Sequence, residues 1–387
     1  MHVDPGLRAL ADECVMCGLC LPHCPTFRLR GLEQFSPRGR IALAKTLDSA
    51  AARDESVRES LESCLQCRAC ESVCPAQVRY GEIIEGARAL IHAANATPIT
   101  TGERAARHPA ISAALMATAG RITRIFPRAT RHLGRRARWL LRAGPAVANR
   151  TQARAPIVMF SGCLARSFDS EAQHALLSVA RMAGLDLRPL SAQGCCGAIA
   201  CHLGASADAA ALTGDLRAQW AAAGTREVVA LDSGCIDALR RAAVDSVRIT
   251  EGCRWLLDQQ ACWTGRLQRL PARIGLFAPC SHRHVVADAD AARRVLALLP
   301  GIEVVPITTG LGCCGAAGPH LLAHPAQADA LAQPIIDAIA GMNLSAIATT
   351  NVGCALHLQE RLVLRGITLP VRHPVAFLAD RMPPDDR

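Results

Sequence analysis

Two runs of four cysteines constrain this chain more than any other feature. "CVMCGLCLPHCP" at 14–25 and "CLQCRACESVCP" at 64–75 both read C-x2-C-x2-C-x3-C-P. Three thiolates spaced by two residues fold around three corners of one iron–sulfur cube. In two-cluster ferredoxins the fourth is carried away by the chain and ligates the other cube. On that logic Cys14, Cys17, Cys20 and Cys74 hold one [4Fe-4S] cluster, and Cys24, Cys64, Cys67 and Cys70 hold the second. Pro25 and Pro75 end the ligand loops and bend the chain away. Zinc also takes four thiolates, typically from two C-x2-C knuckles separated by a longer loop, so a zinc-stabilised binding module fits this spacing poorly.

The second half repeats itself. "APIVMFSGC" ends at Cys163 and "ARIGLFAPC" at Cys280; "GCCGA" occurs at 194–198 and 312–316; "VVALDSGC" ends at Cys235 and "AIATTNVGC" at Cys354. These landmarks keep offsets of 117, 118 and 119 residues, the signature of an internal duplication. Short apolar strands alternate with Ala-rich helical stretches, which predicts α/β structure with a largely parallel sheet. Ligand sites in such sheets gather at the carboxyl ends of strands. The repeats therefore assemble Cys163, Cys195, Cys196 and Cys235 in the first, and Cys280, Cys313, Cys314 and Cys354 in the second. Gly197 and Gly315 are expected to let the backbone pass close to whatever is bound.

The division that follows is a multidomain chain of 387 residues. A mainly α-helical, two-cluster ferredoxin-like domain covers 1–95, and a basic helical linker covers 96–154. Two α/β cysteine-rich repeats cover 155–270 and 271–387. No secretory leader and no membrane-spanning run are evident, so the nineteen cysteines are expected to stay reduced in a cytoplasmic setting. The net charge of +10 comes from arginine, twelve of them between Arg104 and Arg154 with no acidic residue among them. That segment suits an anionic membrane surface, an acidic partner or a solvated linker. With one tyrosine and seven phenylalanines the chain lacks a stacking platform for bases, so no nucleic acid is expected.

The doubled ferredoxin motif followed by two "CCG" repeats resembles the iron–sulfur subunits of respiratory dehydrogenases that carry the cysteine-rich CCG domain. Within that group the chain is most similar to the glycolate oxidase (glycolate dehydrogenase) type. The resemblance rests on "CVMCGLCLPHCPTF", "SPRGRI", "CLQCRACESVCPAQVRY", "GCCGA", "DSGC" and "TTNVGCALHL", which run from residue 14 to 358. It implies an oxidoreductase subunit acting with FAD-containing dehydrogenase subunits. These oxidise a 2-hydroxy acid, glycolate, and electrons pass through this chain's clusters toward a quinone or another membrane acceptor. A peripheral place on the inner face of the cell membrane follows from such an acceptor. Lactate, glycerol-3-phosphate or heterodisulfide oxidoreductases keep the architecture and change the substrate. The chain itself shows no dinucleotide-binding glycine loop, so the flavin belongs elsewhere.

One departure from the resemblance matters. Relatives with an intact motif end each repeat in C-x-x-C, whereas here the first cysteine of that pair is Asp232 in one repeat and Asn351 in the other. Asp232 still offers an oxygen ligand, and asparagine replaces a thiolate poorly. A further iron–sulfur cluster, a zinc ion or no metal all stay open for each repeat. His202 and His320 match between repeats and suit either structural hydrogen bonds or a role beside a bound cluster. Cys201, Cys253 and Cys262 have no counterpart and are expected to pack as ordinary core residues. Arg68, Arg79 and the arginines of "SPRGR" are candidates for tuning cluster potential.

Overall fold

Short, firmly capped helices build the N-terminal part. The Asp4 carboxylate accepts from the Gly6 and Leu7 amides at 2.8 and 3.0 Å and starts α1 (Pro5–Asp12), with Pro5 pre-set for the first turn. Pro25 begins α2 (Pro25–Arg30) directly after Cys24, so the fourth cysteine of the first run is fixed at a helix start. Ser36 caps α3 (Pro37–Lys45) by accepting from the Gly39 amide at 2.9 Å. Only glycine fits at 39, because a Cβ there would lie 2.0 Å from the Glu33 carbonyl oxygen. Asp54 caps α4 (Glu55–Glu62) in the same way. The stripe Ile83, Ile84, Ala87 and Ile91 on α5 (Tyr80–Ala94) closes a core with Leu7, Ile41, Leu47 and Leu61.

The computed structural model describes residues 4–95, 156–190, 194–244, 246–286, 288, 290–309 and 312–383. The basic segment 96–154, and with it the expectation of surface or partner docking, lies outside the described residues.

Two four-stranded sheets follow. The first contains β1 (Ile157–Phe160), β2 (Leu187–Pro189), β3 (Glu227–Ala230) and β4 (Arg248–Glu251) in the order β2-β1-β3-β4. The second contains β5 (Ala272–Leu276), β6 (Ile302–Pro306), β7 (Ala346–Ala348) and β8 (Val371–Arg372) in the order β6-β5-β7-β8. Every pairing is parallel, and the two orders are the same once the strands are renumbered. The helices match too. In the first repeat they are α6 (Ser170–Met182), α7 (Ala198–His202), α8 (Ser206–Ala223) and α9 (Ile236–Ala242). In the second they are α10 (Ala291–Leu298), α11 (His320–Ala323), α12 (Pro325–Ala340) and α13 (Val352–Leu364).

In each sheet the winding reverses between the first and third strands. Connections leave in opposite directions there and open a crevice outside the carboxyl ends. One apolar core runs through both repeats, joining Leu176, Val179, Trp255 and Leu256 to Val295, Leu296, Phe377 and Leu378. The two crevices are thereby held against each other.

Candidate metal centres

All nineteen cysteines are free thiols. In the N-terminal part Cys14, Cys17, Cys20 and Cys74 line one cavity, which Cys70 also reaches. Cys24, Cys64, Cys67 and Cys70 line a second. The fourth cysteine of each run thus sits with the first three of the other. The two loops follow the same path: Met16 and Gly18 have φ of 58° and 82°, and Gln66 and Arg68, at the matching positions, 46° and 55°. Left-handed backbone at non-glycine residues costs energy and is retained where the surroundings over-determine it. Four convergent thiols on a tight loop suit an iron–sulfur cube in chemistry and number.

The surroundings of the two cavities differ. Arg40, 1% exposed, reaches Ser60 O at 2.7 Å, Thr26 Oγ1 at 2.9 Å and Cys24 Sγ at 4.0 Å. The Tyr80 hydroxyl lies 3.5 Å from Cys64 Sγ. Arg88, also buried, donates to the carbonyls of Leu61, Glu62 and Cys64 and ties the second ligand loop down. Burial pushes the Cys64 thiol up, but Arg40, Arg88 and Tyr80 outweigh it and leave Cys64 below its ordinary value. Cys70 lacks that help, and burial holds it well up.

Of the tuning candidates, Arg40 alone is buried against the thiols. Arg38 bonds the Met16 carbonyl at 3.3 Å but is paired with Glu33 at 2.6 Å. Arg79 is an exposed residue shared by Glu13 and Glu82. Arg68 forks onto Asp237 of the first repeat at 3.2 and 2.9 Å, so it joins domains. Sequence reasoning missed Tyr80 and Arg88. The signal for Arg88 was present, since it interrupts the apolar stripe of α5 on its buried face.

The eight repeat cysteines share one cavity of about 170 Å³, together with Asp232 and Asn351. In the first repeat Cys163 and Cys195 are 3.8 Å apart and Cys196 and Cys235 3.1 Å apart; in the second, Cys314 and Cys354 are 2.6 Å apart. One thiol in each set is held low. Hydrogen bonds with Cys163 and Cys196 pull Cys195 down, and a bond with Cys313 pulls Cys280 down to about 7. Burial raises the half-buried Asp232 carboxyl to about 6. The cavity also meets the N-terminal part: Leu65 and Cys67 pack on Cys313 and Leu331.

Several expectations change at this site. A Cβ on Gly197 or Gly315 would lie 3.3 Å from the Ala209 carbonyl or 2.5 Å from the Ala328 carbonyl. These glycines therefore admit the following helices, α8 and α12, instead of a bound group. Their amides do point to Cys195 and Cys313 Sγ, at 3.4 and 3.3 Å. Cys201, expected to be core, lines the cavity, whereas Cys253 is fully buried away from it beside Glu251 and His373. His202 lines the cavity and faces Gly318 of the other repeat. His320 is turned to the Gly315 carbonyl at 3.0 Å. His282 spends both ring nitrogens, on the Thr350 hydroxyl and the Asp288 carbonyl.

Known families account for most of this arrangement. The 4Fe-4S dicluster domain family matches residues 10–78, and the CCG cysteine-rich domain family matches 157–240 and 274–359. The chain is 27% identical to the probable glycolate oxidase iron–sulfur subunit of Bacillus subtilis (strain 168), over 95% of this chain and 92% of that one. It is 28% identical to the glycolate oxidase iron–sulfur subunit of Escherichia coli (strain K12), over 92% and 91%. A fumarate reductase (CoM/CoB) subunit of Methanothermobacter marburgensis is 23% identical, over 92% of this chain and 68% of that protein. Among the described residues no helix is long and apolar enough to cross a membrane.

Proposed function

The chain belongs with the CCG-domain iron–sulfur proteins, as a homologue of glycolate oxidase iron–sulfur subunits, and from that premise we propose that it relays electrons from a flavoprotein subunit toward a quinone or other respiratory acceptor. Cys14, Cys17, Cys20 and Cys74 hold one [4Fe-4S] cluster; Cys24, Cys64, Cys67 and Cys70 hold the other. When bound, such cubes accept and pass on single electrons, which matches a two-electron flavin to a one-electron chain. The observation that carries this reading is the exchange of fourth cysteines between the two cavities.

The chain's own residues position the relay. Arg68 and Arg241 lock the N-terminal part to the first repeat through Asp237 and Glu85. Leu65 and Cys67 pack against the second repeat, so the second ligand loop abuts the cavity that holds the repeat cysteines. Those eight thiols supply enough soft donors for further metal in both repeats, with Asp232 as an oxygen donor in the first. The flavin and the oxidation of a 2-hydroxy acid such as glycolate belong to the partner subunits.

Iron, acid-labile sulfide and zinc on anaerobically purified protein test the proposal. About eight irons and eight sulfides per chain correspond to two cubes. A clear excess means that the repeats also hold iron, and zinc with little sulfide refutes electron transfer. Bleaching of the reconstituted complex by glycolate supports the substrate, whereas bleaching by lactate alone removes it.

A further inference from the structure

We propose that Arg40 is the counter-charge of the centre formed by Cys24, Cys64, Cys67 and Cys70, and that it holds that centre's reduction potential up. The inference rests on the proposed assignment of those four cysteines.

A buried ion is strongly unfavourable unless it is paired, and a guanidinium cannot escape by losing its proton. Arg40 is almost completely buried, at 1% exposure. Its donors meet Ser60 O, Thr26 Oγ1 and Ser63 Oγ, all neutral, and then Cys24 Sγ. Among the described residues no carboxylate pairs with it. The anion that balances Arg40 is therefore the thiolate set itself.

Reduction adds one negative charge to a bound cluster. A fixed cation at the cluster's edge stabilises the reduced form more than the oxidised one, so the midpoint rises. The dry surroundings strengthen that interaction, because little water screens it. The Tyr80 hydroxyl, 3.5 Å from Cys64 Sγ, acts in the same sense. The buried charge of Arg88 acts on Cys64 in the same sense, although its bonds go to carbonyls, including that of Cys64, and to no sulfur.

Among the described residues the first cavity has no equivalent of Arg40. The arginine that lines it, Arg38, comes from the same "SPRGR" stretch but is partly exposed and already neutralised by Glu33 at 2.6 Å. Two arginines separated by one residue therefore serve the two centres differently. The uncompensated one favours an electron on the centre that abuts the repeat cysteines.

Redox titration followed by electron paramagnetic resonance tests this on the full chain with its clusters loaded, comparing wild type with R40M, R40K and Y80F. The expected result is a lower midpoint for one centre only in R40M, recovery of most of the shift in R40K, and a smaller shift of the same sign in Y80F. Unmoved midpoints in R40M overturn the proposal, as does an R40K protein shifted as far as R40M, which would show that Arg40 acts by packing. If R40M fails to retain the centre, a loaded R40K with the wild-type midpoint upholds the charge role, and loss in both overturns it. A wild type holding about four irons instead of about eight removes the ligand assignment and this inference with it, and the iron count separates that failure from the others.

Discussion

Asn351 holds Asp232. Its Nδ2 donates to the Asp232 carboxylate at 3.2 Å while its Oδ1 accepts from the Cys354 amide at 3.0 Å. The two residues occupy corresponding positions in the two repeats, 119 residues apart, and meet across the interface between them. Each therefore does local work at its own repeat and also fixes the other. Asn351 caps the helix that carries Cys354, and the Asp232 carboxylate accepts from the Gly234 amide at 3.0 Å in the loop that carries Cys235.

Burial of Asp232 makes the metal-free protein sensitive to pH. Burial raises Asp232 from 3.8 to about 6, so its contribution to stability is fully present below about pH 4 and is lost as pH rises through 6. Asp232→Asn should remove the loss, gaining on the order of 2 kcal/mol at pH 8 and almost nothing at pH 4, a figure reduced because the residue is only half-buried. Denaturant unfolding of metal-free wild type and variant at the two pH values measures it. Equal gains at both would show that ionisation is not the cause.

Cross-ligation predicts which cluster each cysteine damages. Cys24 lies in the first run but lines the cavity of Cys64, Cys67 and Cys70. Cys24→Ser should reproduce the spectrum of Cys67→Ser and leave the centre lost in Cys17→Ser intact. A C24S spectrum matching C17S would mean that each run closes on itself.

The N-terminal ligand sets were legible because covalent spacing nearly determines them: two-residue gaps bring three thiols around one point, and proline after the fourth directs the chain away. The parallel strands and the gathering of Cys163, Cys235, Cys280 and Cys354 at their ends were legible from alternation and matched offsets. What stayed hidden depends on contacts between segments far apart in sequence. Nothing local shows that Asp232 faces Asn351, that Tyr80 reaches Cys64, or that Arg40 is buried while Arg38 is not. Gly197 and Gly315 announced a close approach without saying by what, and the neighbour proved to be a helix backbone. Arg88 was readable in principle, as a charged residue on an apolar stripe.

Docking of the N-terminal part depends on a glycine that lines neither thiolate cavity of that part. Gly204 has φ of 74°, and a Cβ there would lie 2.2 Å from the Arg88 carbonyl oxygen. Beside it Arg88 Nη1 donates to the His202 carbonyl at 2.9 Å. Gly204→Ala should force α5 away from the first repeat and cost about 2–4 kcal/mol. Cluster iron should be retained, because no ligand in the N-terminal part moves. Limited proteolysis should cleave the variant faster between the two parts, and unchanged cleavage would show that the contact can yield without separation.

Acid should act on the fold through buried histidines, and His373, beside Glu251 and Cys253, is one whose ring nitrogens both bond the backbone. Its Nε2–H donates to the Leu231 carbonyl at 3.0 Å and its Nδ1 accepts from the Val375 amide at 3.2 Å, so both nitrogens are committed in the neutral ring. Burial lowers its pKa from 6.5 to about 3. A depressed histidine is neutral in the fold and charged in the unfolded chain below 6.5, so its contribution is fully present above that pH and is lost as pH falls toward 3. The loss is about 1.4 kcal/mol per pH unit across that window. His373→Asn removes this proton but also the two hydrogen bonds, which should make it less stable than wild type by about 1–3 kcal/mol at pH 8. The two stabilities should therefore converge on acidification and meet near pH 5, on the order of where the wild-type loss equals the value of the bonds. Asp232, raised instead of lowered, titrates alike in both proteins and cancels from the difference. Unfolding free energies of the pair from pH 8 to pH 4.5 measure the gap directly. A gap that stays constant over that range would mean that His373 is protonated in the folded chain and that its bonds, not its neutrality, are what the fold requires.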